Sequence, residues 1–204
     1  MNPYRLLVMR HPALSPHAEA FDELLERTPD GGAVDYDLPQ PKWWFLHHLV
    51  THGHVLHGTN ERAIEEFRTR RNFDAHNERE VDGVWATDDA IWPLYFAVVN
   101  RPVAQSYINW CEHPGNGTSR YLFSIGSDPQ AAESWTTGTV YVLPRETFEP
   151  TPESRELTST VPVRPRARLT VDPEDFPFKS KTLHHHKGAT PNRVALRHAL
   201  RLSR

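Results

Sequence analysis

The sequence has little of what marks several common protein classes. Cys111 is the only cysteine among 204 residues, so an internal disulfide cannot form, which is typical of a reducing compartment. No stretch approaches the ~20 apolar residues of a membrane-spanning helix, and the first residues lack the apolar core of a signal peptide. Neither a Gly-x-Ser-x-Gly elbow nor a glycine-rich phosphate loop occurs. We therefore expect a cytoplasmic protein without a membrane partner, and a Ser-His-Asp hydrolase is unsupported.

Aromatic side chains and an uneven charge are what the sequence does have. Six Trp, nine Phe and six Tyr supply the apolar mass for the core of one domain. Residues 1–160 contain 13 basic and 23 acidic side chains, whereas residues 161–204 contain 10 basic and 3 acidic ones. The basic end can contact a polyanion, or it can pack against the acidic body of the chain. We favour the packing and keep the polyanion contact as the alternative.

Helix signals dominate the first half of the chain. Ser15 and Pro16 predict the start of a helix whose Phe21 and Leu24 share one face. A second, buried helix is predicted over KWWFLHHLVTHG, ending at Gly53.

The next stretch predicts further helices between short strands. Asn60 is suited to cap a helix over ERAIEEFRTRR, and residues 72–82 are expected to form a polar loop. Thr87 or Asp88 can cap a helix over DAIWPLYFAVVN, with Pro93 in its first turn. The short strands on either side are HVLH and VWA.

From residue 105 onward, the apolar residues recur with the period of two that is typical of strands. Four such strands are predicted, separated by Gly, Pro and Asn: SYINW, RYLFSIG, GTVYVLP and RARLTVDP. A last helix is predicted over TPNRVALRHALRLSR. Helices that precede strands indicate an α+β fold rather than repeated βαβ units.

Three features within 45 residues combine residue types that suit a nucleotide. The first is a strand end, Leu56–Thr59, in which a glycine lets a ligand approach the backbone between a histidine and a threonine. The second is Gly83–Asp88, a strand that leads into a helix. The third is the start of that helix, where flat aromatic rings can stack on a heterocycle: Trp92, Tyr95 and Phe96.

In this order the motifs resemble those of the ADP-ribosyltransferases of the His-Tyr-Glu type, which include the poly(ADP-ribose) polymerases. That family carries a strand ending in His-Gly-Ser or His-Gly-Thr, then a Gly-Ile-Tyr-Phe-Ala-Asp-like strand, then a helix with a tyrosine that stacks on nicotinamide. The resemblance covers roughly residues 54–150. It implies that NAD is the co-substrate, with His57 on a ribose hydroxyl and the backbone of Gly58 on the nicotinamide amide.

The same resemblance implies the rest of the NAD-binding set. Trp85 occupies the place of the tyrosine in the second motif, and Phe96 or Tyr95 would stack on nicotinamide, with the spacing favouring Phe96. Thr59 and Thr87 supply donors or acceptors next to these residues.

The third motif of the family is a glutamate on a later strand that polarises the ribose and the acceptor. Counting back from Tyr141 puts Thr137 at that place, and the nearest acid is Glu133. A threonine oxygen can orient a nucleophile but cannot neutralise a positive charge. The candidate catalytic residues are therefore His57, Glu133 and Thr137.

The resemblance implies one α+β domain over residues 1–204, with split antiparallel β-sheets and helices mainly from the N-terminal half. A helical part (1–53) and a core (54–150) would precede a basic strand and helix extension (151–204). The implied function is an NAD-dependent ADP-ribosyltransferase or NAD glycohydrolase whose acceptor is a protein, a nucleic acid or a small molecule. The alternatives are a non-catalytic nucleotide- or RNA-binding module of this fold, and an RNA 2′-phosphotransferase-like enzyme that lacks the glutamate.

Clustered histidines raise the question of a metal. His48 and His52 stand four apart on a predicted helix, but no acid or cysteine accompanies them, so we predict no metal site, with His47 and His48 at a helix surface or a helix end. The triplet at residues 184–186 is expected to form a solvated loop, with a phosphate-facing patch as the alternative.

Overall fold

The computed structural model describes residues 6–12, 15–74, 79–104, 106–115, 117–126, 134–151 and 156–185. This part of the chain is mixed α and β, with three α-helices and two mostly antiparallel sheets. All three described helices precede residue 99, as the α+β prediction requires. The chain divides into two compact units. One comprises the described parts of Met1–Ala13, Val99–Thr136 and Pro177–Arg204, and the other comprises those of Leu14–Val98 and Thr137–Phe176.

The second unit is built on an eight-stranded sheet and is called the eight-stranded unit. Its spatial order is β2-β11-β8-β3-β5-β10-β9, with β4 paired to β5. Only β2 and β11 pair in parallel; the other pairings are antiparallel. The strands are β2 (Gly32–Ala33), β3 (His54–Thr59), β4 (Arg70–Asp74), β5 (Arg79–Thr87), β8 (Gly138–Pro144), β9 (Glu149–Pro150), β10 (Glu156–Ser159) and β11 (Ala167–Val171).

Alternation along the central strands gives this sheet two buried faces. Val55, Val84 and Tyr141 pack into one apolar cluster, so they define a first face. The neighbouring positions Leu56 and Val140 point to the second face, because successive side chains of a strand point to opposite sides. Both positions are fully buried. The sheet is therefore covered on both sides, which explains why β8 is apolar at nearly every position.

Two helices of this unit follow the sequence prediction closely. Helix α1 (Ala18–Glu26) follows a 3-10 turn at Ser15–His17, so Pro16 lies in that turn rather than in the α-helix. Helix α2 (Lys42–Thr51) ends just before Gly53, whose φ of 84° is the left-handed conformation that favours glycine. Phe21 and Phe45 join the two helices, with ring centroids 5.8 Å apart.

The predicted helix over residues 61–71 is wrong, and the predicted loop over 72–82 is wrong for its described residues, 72–74 and 79–82. Residues 61–69 form no helix, and β4 and β5 pair as antiparallel strands from Arg70 opposite Gly83. The backbone N–H of Phe67 donates to the carbonyl of Val163 at 2.8 Å, and that of Ile64 donates to the Tyr141 hydroxyl at 2.9 Å. Those two donors are therefore used in tertiary contacts, and an α-helix would have needed them within the segment.

The third helix, α3 (Trp92–Val98), has a different cap from either predicted one. Oδ1 of Asp89 accepts the backbone N–H groups of Ile91 and Trp92, both at 2.7 Å. Oγ1 of Thr87 in turn accepts the N–H of Asp89 at 3.2 Å. Thr87 thus shapes the approach to the helix, and Asp89 caps it.

The other unit is built on a four-stranded sheet and is called the four-stranded unit. Its strands are β1 (Leu7–Arg10), β6 (Ser106–Glu112), β7 (Thr118–Gly126) and β12 (Leu183–His184). The central strand β7 pairs with all three others, in parallel only with β12. Tyr121 and Phe123 stack at 5.6 Å on one face of β7, and Phe178 packs against both rings.

The period-two strands of the second half are confirmed. All four predicted segments contain a strand, namely β6, β7, β8 and β11. The predicted C-terminal helix over residues 190–204 lies outside the described residues.

Candidate functional site

The three strands that carry the predicted motif positions are neighbours in one sheet. They lie in the order β8-β3-β5, so the His57-Gly58 strand is central. β3 and β8 are in register from His54 to Thr59, with His57 opposite Tyr141. β3 and β5 are in register only where Leu56 faces Thr87. The first and second motifs therefore meet at the point where two adjacent strands leave register.

The imidazole of His57 bridges β3 and β5 at that point. Its Nδ1 lies 2.7 Å from the backbone carbonyl oxygen of Trp85 on β5. A carbonyl oxygen only accepts hydrogen bonds, so Nδ1 carries the proton and Nε2 is the acceptor in the neutral ring. The ring also meets Phe67 edge-on at 4.9 Å, and it is half-buried. Backbone and packing together therefore fix both the position and the tautomer of this histidine.

Gly58 is required by the fold of the unit. A Cβ at this position would overlap the backbone carbonyl of Pro93 in α3, and a Cβ at Gly138 on the adjacent strand would overlap the carbonyl of Ala97. Helix α3 thus lies directly against the backbone of β3 and β8 on the second face of the sheet. Gly58, the glycine of the first motif, leaves the space that helix α3 occupies, so its presence alone is not evidence of a ligand.

The predicted site residues divide between the two faces of the sheet. His57 points to the first face, where Phe67 and Tyr141 lie. Trp85 and Thr87 point to the second face with α3, because Thr87 is in register with Leu56, which belongs to that face. A ligand that contacted all of these side chains would have to reach across the sheet at the divergence of β3 and β5.

The two candidate stacking rings differ in accessibility. Tyr95 is fully buried, with Phe96 at 5.8 Å and Phe176 at 5.6 Å between ring centroids. Phe96 is half-buried and also faces Trp92 at 6.4 Å. Stacking on Tyr95 would require the core to open, whereas Phe96 is already partly exposed.

The two threonines next to the motifs have local structural partners. Oγ1 of Thr59 accepts the backbone N–H of Glu61 at 3.2 Å, where the chain turns after β3. Thr87 makes the corresponding contact before α3. Both side chains are buried. Each hydroxyl therefore shapes the backbone beside the candidate site.

Thr137 lies at some distance from His57. It precedes the first residue of β8, four positions from Tyr141, which is roughly 13 Å along a strand. Its hydroxyl donates to Oδ1 of Asp172 at 2.5 Å, and its carbonyl accepts from Arg62 at 3.2 Å. Asp172 is a carboxylate that the sequence count missed, because it follows β11 and comes close only through the pairing of β8 with β11. Glu133 lies outside the described residues.

Tyr141 lies opposite His57 and had no role in the predicted site. Its hydroxyl accepts the N–H of Ile64 at 2.9 Å and donates to the carbonyl of Glu61 at 3.2 Å. Burial raises the pKa of this hydroxyl above its usual value, and the carboxylate of Glu61 adds to the effect. Tyr141 therefore pins the segment after β3 over the first face. Only the strand register, which the sequence does not show, could have placed it there.

The clustered histidines have structural partners. His48 lies in the last turn of α2, as the helix-end alternative predicts, but it is fully buried, and its Nε2 lies 2.7 Å from Oδ1 of Asp22. Nδ1 of His52 lies 2.7 Å from the carbonyl of His48. In the described part of the chain, no group of three His, Cys, Asp or Glu side chains could hold a metal ion. The predicted solvated loop at 184–186 is wrong for its described residues, since His184 ends β12 and His185 is buried.

Part of the basic C-terminal segment packs as the sequence analysis favoured. Arg166 donates to the carbonyls of Thr28 and Leu25, at the end of α1, and also lies 3.2 Å from Asp30. Arg164 lies 3.5 Å from Glu66. These two arginines are therefore engaged with the acidic part of the chain.

The comparisons with known proteins add no relative. None of the described helices is long and apolar enough to cross a membrane. No protein-family model matches the chain, and neither a curated protein nor a solved structure matches it significantly.

Proposed function

We propose that the chain binds NAD at the divergence of β3 and β5 and transfers its ADP-ribose to an acceptor or to water. The observation that carries the proposal is the contact of His57 Nδ1 with the Trp85 carbonyl, 2.7 Å long. This contact joins the first and second motifs of the resemblance at one point of one sheet.

The tautomer of His57 suits the role that the resemblance gives it. With the proton on Nδ1, Nε2 can accept a hydrogen bond from a ribose hydroxyl. The backbone of Gly58 would bind the nicotinamide amide, and Phe96 would stack on the ring because it is the more accessible of the two candidates. Trp85 and Thr87 lie on the same face as Phe96, so they would line the nicotinamide side.

The reaction asks for little acid–base chemistry. The bond between the ribose C1′ and the nicotinamide nitrogen breaks and nicotinamide leaves with the electron pair. An acceptor oxygen or nitrogen then bonds to the oxocarbenium-like C1′ and releases its proton to solvent. A site that holds NAD in a reactive conformation supplies much of the acceleration. In this proposal Thr137, hydrogen-bonded to Asp172, would orient the acceptor.

The test is nicotinamide release from NAD by the full chain, followed by chromatography, with intact-protein mass spectrometry for transferred ADP-ribose. We expect His57→Ala to abolish release, because it removes the anchored acceptor nitrogen. His52→Ala is the matched control, since His52 is an exposed histidine five residues earlier. Both variants are first compared with the wild type in thermal unfolding. A wild-type protein that releases no nicotinamide contradicts the transferase function.

A non-catalytic nucleotide-binding module is the second candidate. It is favoured by the register that sets Tyr141, not a carboxylate, opposite His57. It predicts that NAD binds, measured by calorimetry, without release of nicotinamide. His57→Ala should then weaken binding while His52→Ala leaves it unchanged.

A further inference from the structure

A second polar cluster lies in the four-stranded unit, around His185. This side chain is 4% exposed, and its two ring nitrogens contact two different serines. Nε2 lies 2.8 Å from Oγ of Ser106, and Nδ1 lies 2.8 Å from Oγ of Ser124. Ser124 is fully buried, whereas Ser106 is half-buried. The cluster therefore begins at the surface and leads into the sheet.

The hydrogen bond between Ser124 and the backbone of Leu183 sets the direction of the other hydrogen bonds in the cluster. Oγ of Ser124 donates to the backbone carbonyl of Leu183 at 3.2 Å, which uses its one proton. It must then accept from His185, so Nδ1 of the imidazole carries the proton. Nε2 is the acceptor in the neutral ring, and Ser106 donates its hydroxyl proton to it. This is the arrangement in which a histidine acts as general base on a serine.

The architecture of the sheet holds the arrangement in place. β12 and β6 both pair with Ser124 of β7, so they lie on opposite sides of that strand. The backbone N–H of His185 donates to the carbonyl of Ile125 at 3.0 Å, which anchors the histidine beside β12. Its ring then crosses β7 above Gly126 to reach Ser106. A Cβ at Gly126 would overlap Oγ of Ser106 and lie 2.9 Å from Nε2 of His185.

We propose that Ser106 is a nucleophile toward small activated acyl esters, with His185 as its general base and Ser124 as a positioning residue. Oγ of Ser106 bonds to the acyl carbon while its proton passes to Nε2 of His185. The ester C–O bond breaks, and the leaving alcohol takes that proton. Water then hydrolyses the acyl group by the same proton route and restores the serine. This activity belongs to residues outside the proposed NAD site, so the two proposals stand or fall separately.

The probe is a fluorophosphonate, which reports on an activated serine without knowledge of the natural ester. Oγ of Ser106 bonds to phosphorus, fluoride leaves with its electron pair, and the hydroxyl proton passes through His185 to solvent. We expect one adduct on the full chain, located on Ser106 by peptide mass spectrometry. Ser106→Ala should abolish it, and His185→Gln should slow it by ~100-fold or more, the usual contribution of a general base. p-Nitrophenyl acetate should give the same order of variants in hydrolysis.

Ser124 and Ser119 supply the controls. Ser124→Ala should slow labelling, and Ser124→Thr should restore it, because threonine keeps the hydroxyl; a purely structural role would not give that rescue of rate. Ser119 is a fully buried serine that also contacts histidines, His11 and His113, so Ser119→Ala should label like the wild type. An unlabelled wild type, an adduct on another residue, or unchanged labelling in Ser106→Ala or His185→Gln overturns the proposal. Peptide mapping of the wild type decides the matter even if a variant does not fold.

Discussion

Two histidines in different units have the same tautomer for different reasons. Nδ1 of His57 donates to a main-chain carbonyl, whereas Nδ1 of His185 donates to the hydroxyl of Ser124. The first partner belongs to the backbone of β5, so no single substitution removes it. The second is a side chain that one substitution deletes. A histidine fixed by the backbone depends on the fold, and one fixed by side chains can be dissected without changing the fold.

Each histidine also lies near a glycine, and a Cβ on the two glycines would meet different neighbours. The missing Cβ leaves room for the backbone of α3 at Gly58, whereas at Gly126 it leaves room for the side chains of Ser106 and His185. Backbone cannot move without shifting a whole helix, while a serine hydroxyl can rotate away. The two glycines should therefore differ in how strongly alanine disturbs the fold.

The largest effect is expected for Gly58→Ala. The new Cβ would overlap the carbonyl of Pro93, so α3 must separate from β3. We expect a loss of about 3 kcal/mol or more in the free energy of unfolding, at the upper end for overpacked cores. Urea denaturation followed by tryptophan fluorescence measures it. Gly83→Ala is the control, because its nearest neighbour would be the carbonyl oxygen of Ser159 at 3.3 Å, and it should lose clearly less. Equal losses would show that α3 does not press on β3.

A smaller loss of stability, together with a ~100-fold loss of reactivity toward the fluorophosphonate, is expected for Gly126→Ala. The added Cβ displaces the Ser106 hydroxyl from Nε2 of His185, and the hydroxyl can rotate to relieve the overlap. We expect about 1–2 kcal/mol of destabilisation, at the lower end for overpacking, with fluorophosphonate labelling reduced to the level of His185→Gln. Labelling at the wild-type rate would show that the contact between Ser106 and His185 does not require a glycine at position 126.

The fold was predictable where the local pattern agreed with the tertiary environment. Helices α1 and α2 and the strands β6, β7, β8 and β11 all carry the expected periodicity. The segment after Asn60 has an equally good helical pattern, and it failed because Phe67 bridges Val163, nearly a hundred residues later. A sequence window cannot contain that partner. Propensity is a weak prior in such cases, and tertiary hydrogen bonds override it.

The candidate site was predictable as a set of strands but not as a set of side chains. The strands that carry the motifs, β3, β5 and β8, are neighbours in one sheet. Which face each side chain takes, and which residue stands opposite His57, depend on register. A count along the sequence chose Thr137, whereas the register puts Tyr141 opposite His57. The hydrogen-bonded pair of Ser106 and His185 was missed because its two residues are 79 positions apart and show no local pattern.

The smallest effect concerns Tyr141, and it tests whether the β8 side of His57 is structural. Tyr141→Phe removes the hydroxyl that accepts from Ile64 and donates to Glu61, so we expect a loss of about 1 kcal/mol in the free energy of unfolding at neutral pH. Burial raises the pKa of this hydroxyl in the folded state. Its stabilising contribution is therefore complete below the unfolded-state pKa of ~10 and is lost as the pH rises through the folded-state pKa. The stability difference between wild type and Tyr141→Phe should shrink when urea denaturation is repeated from pH 8 to pH 11.

Tyr36, whose pKa is also raised, is present in both proteins and cancels in that difference. A difference that stays constant with pH would show that the Tyr141 hydroxyl is not held neutral by the fold, and its position opposite His57 would then be open to a direct role at the proposed NAD site.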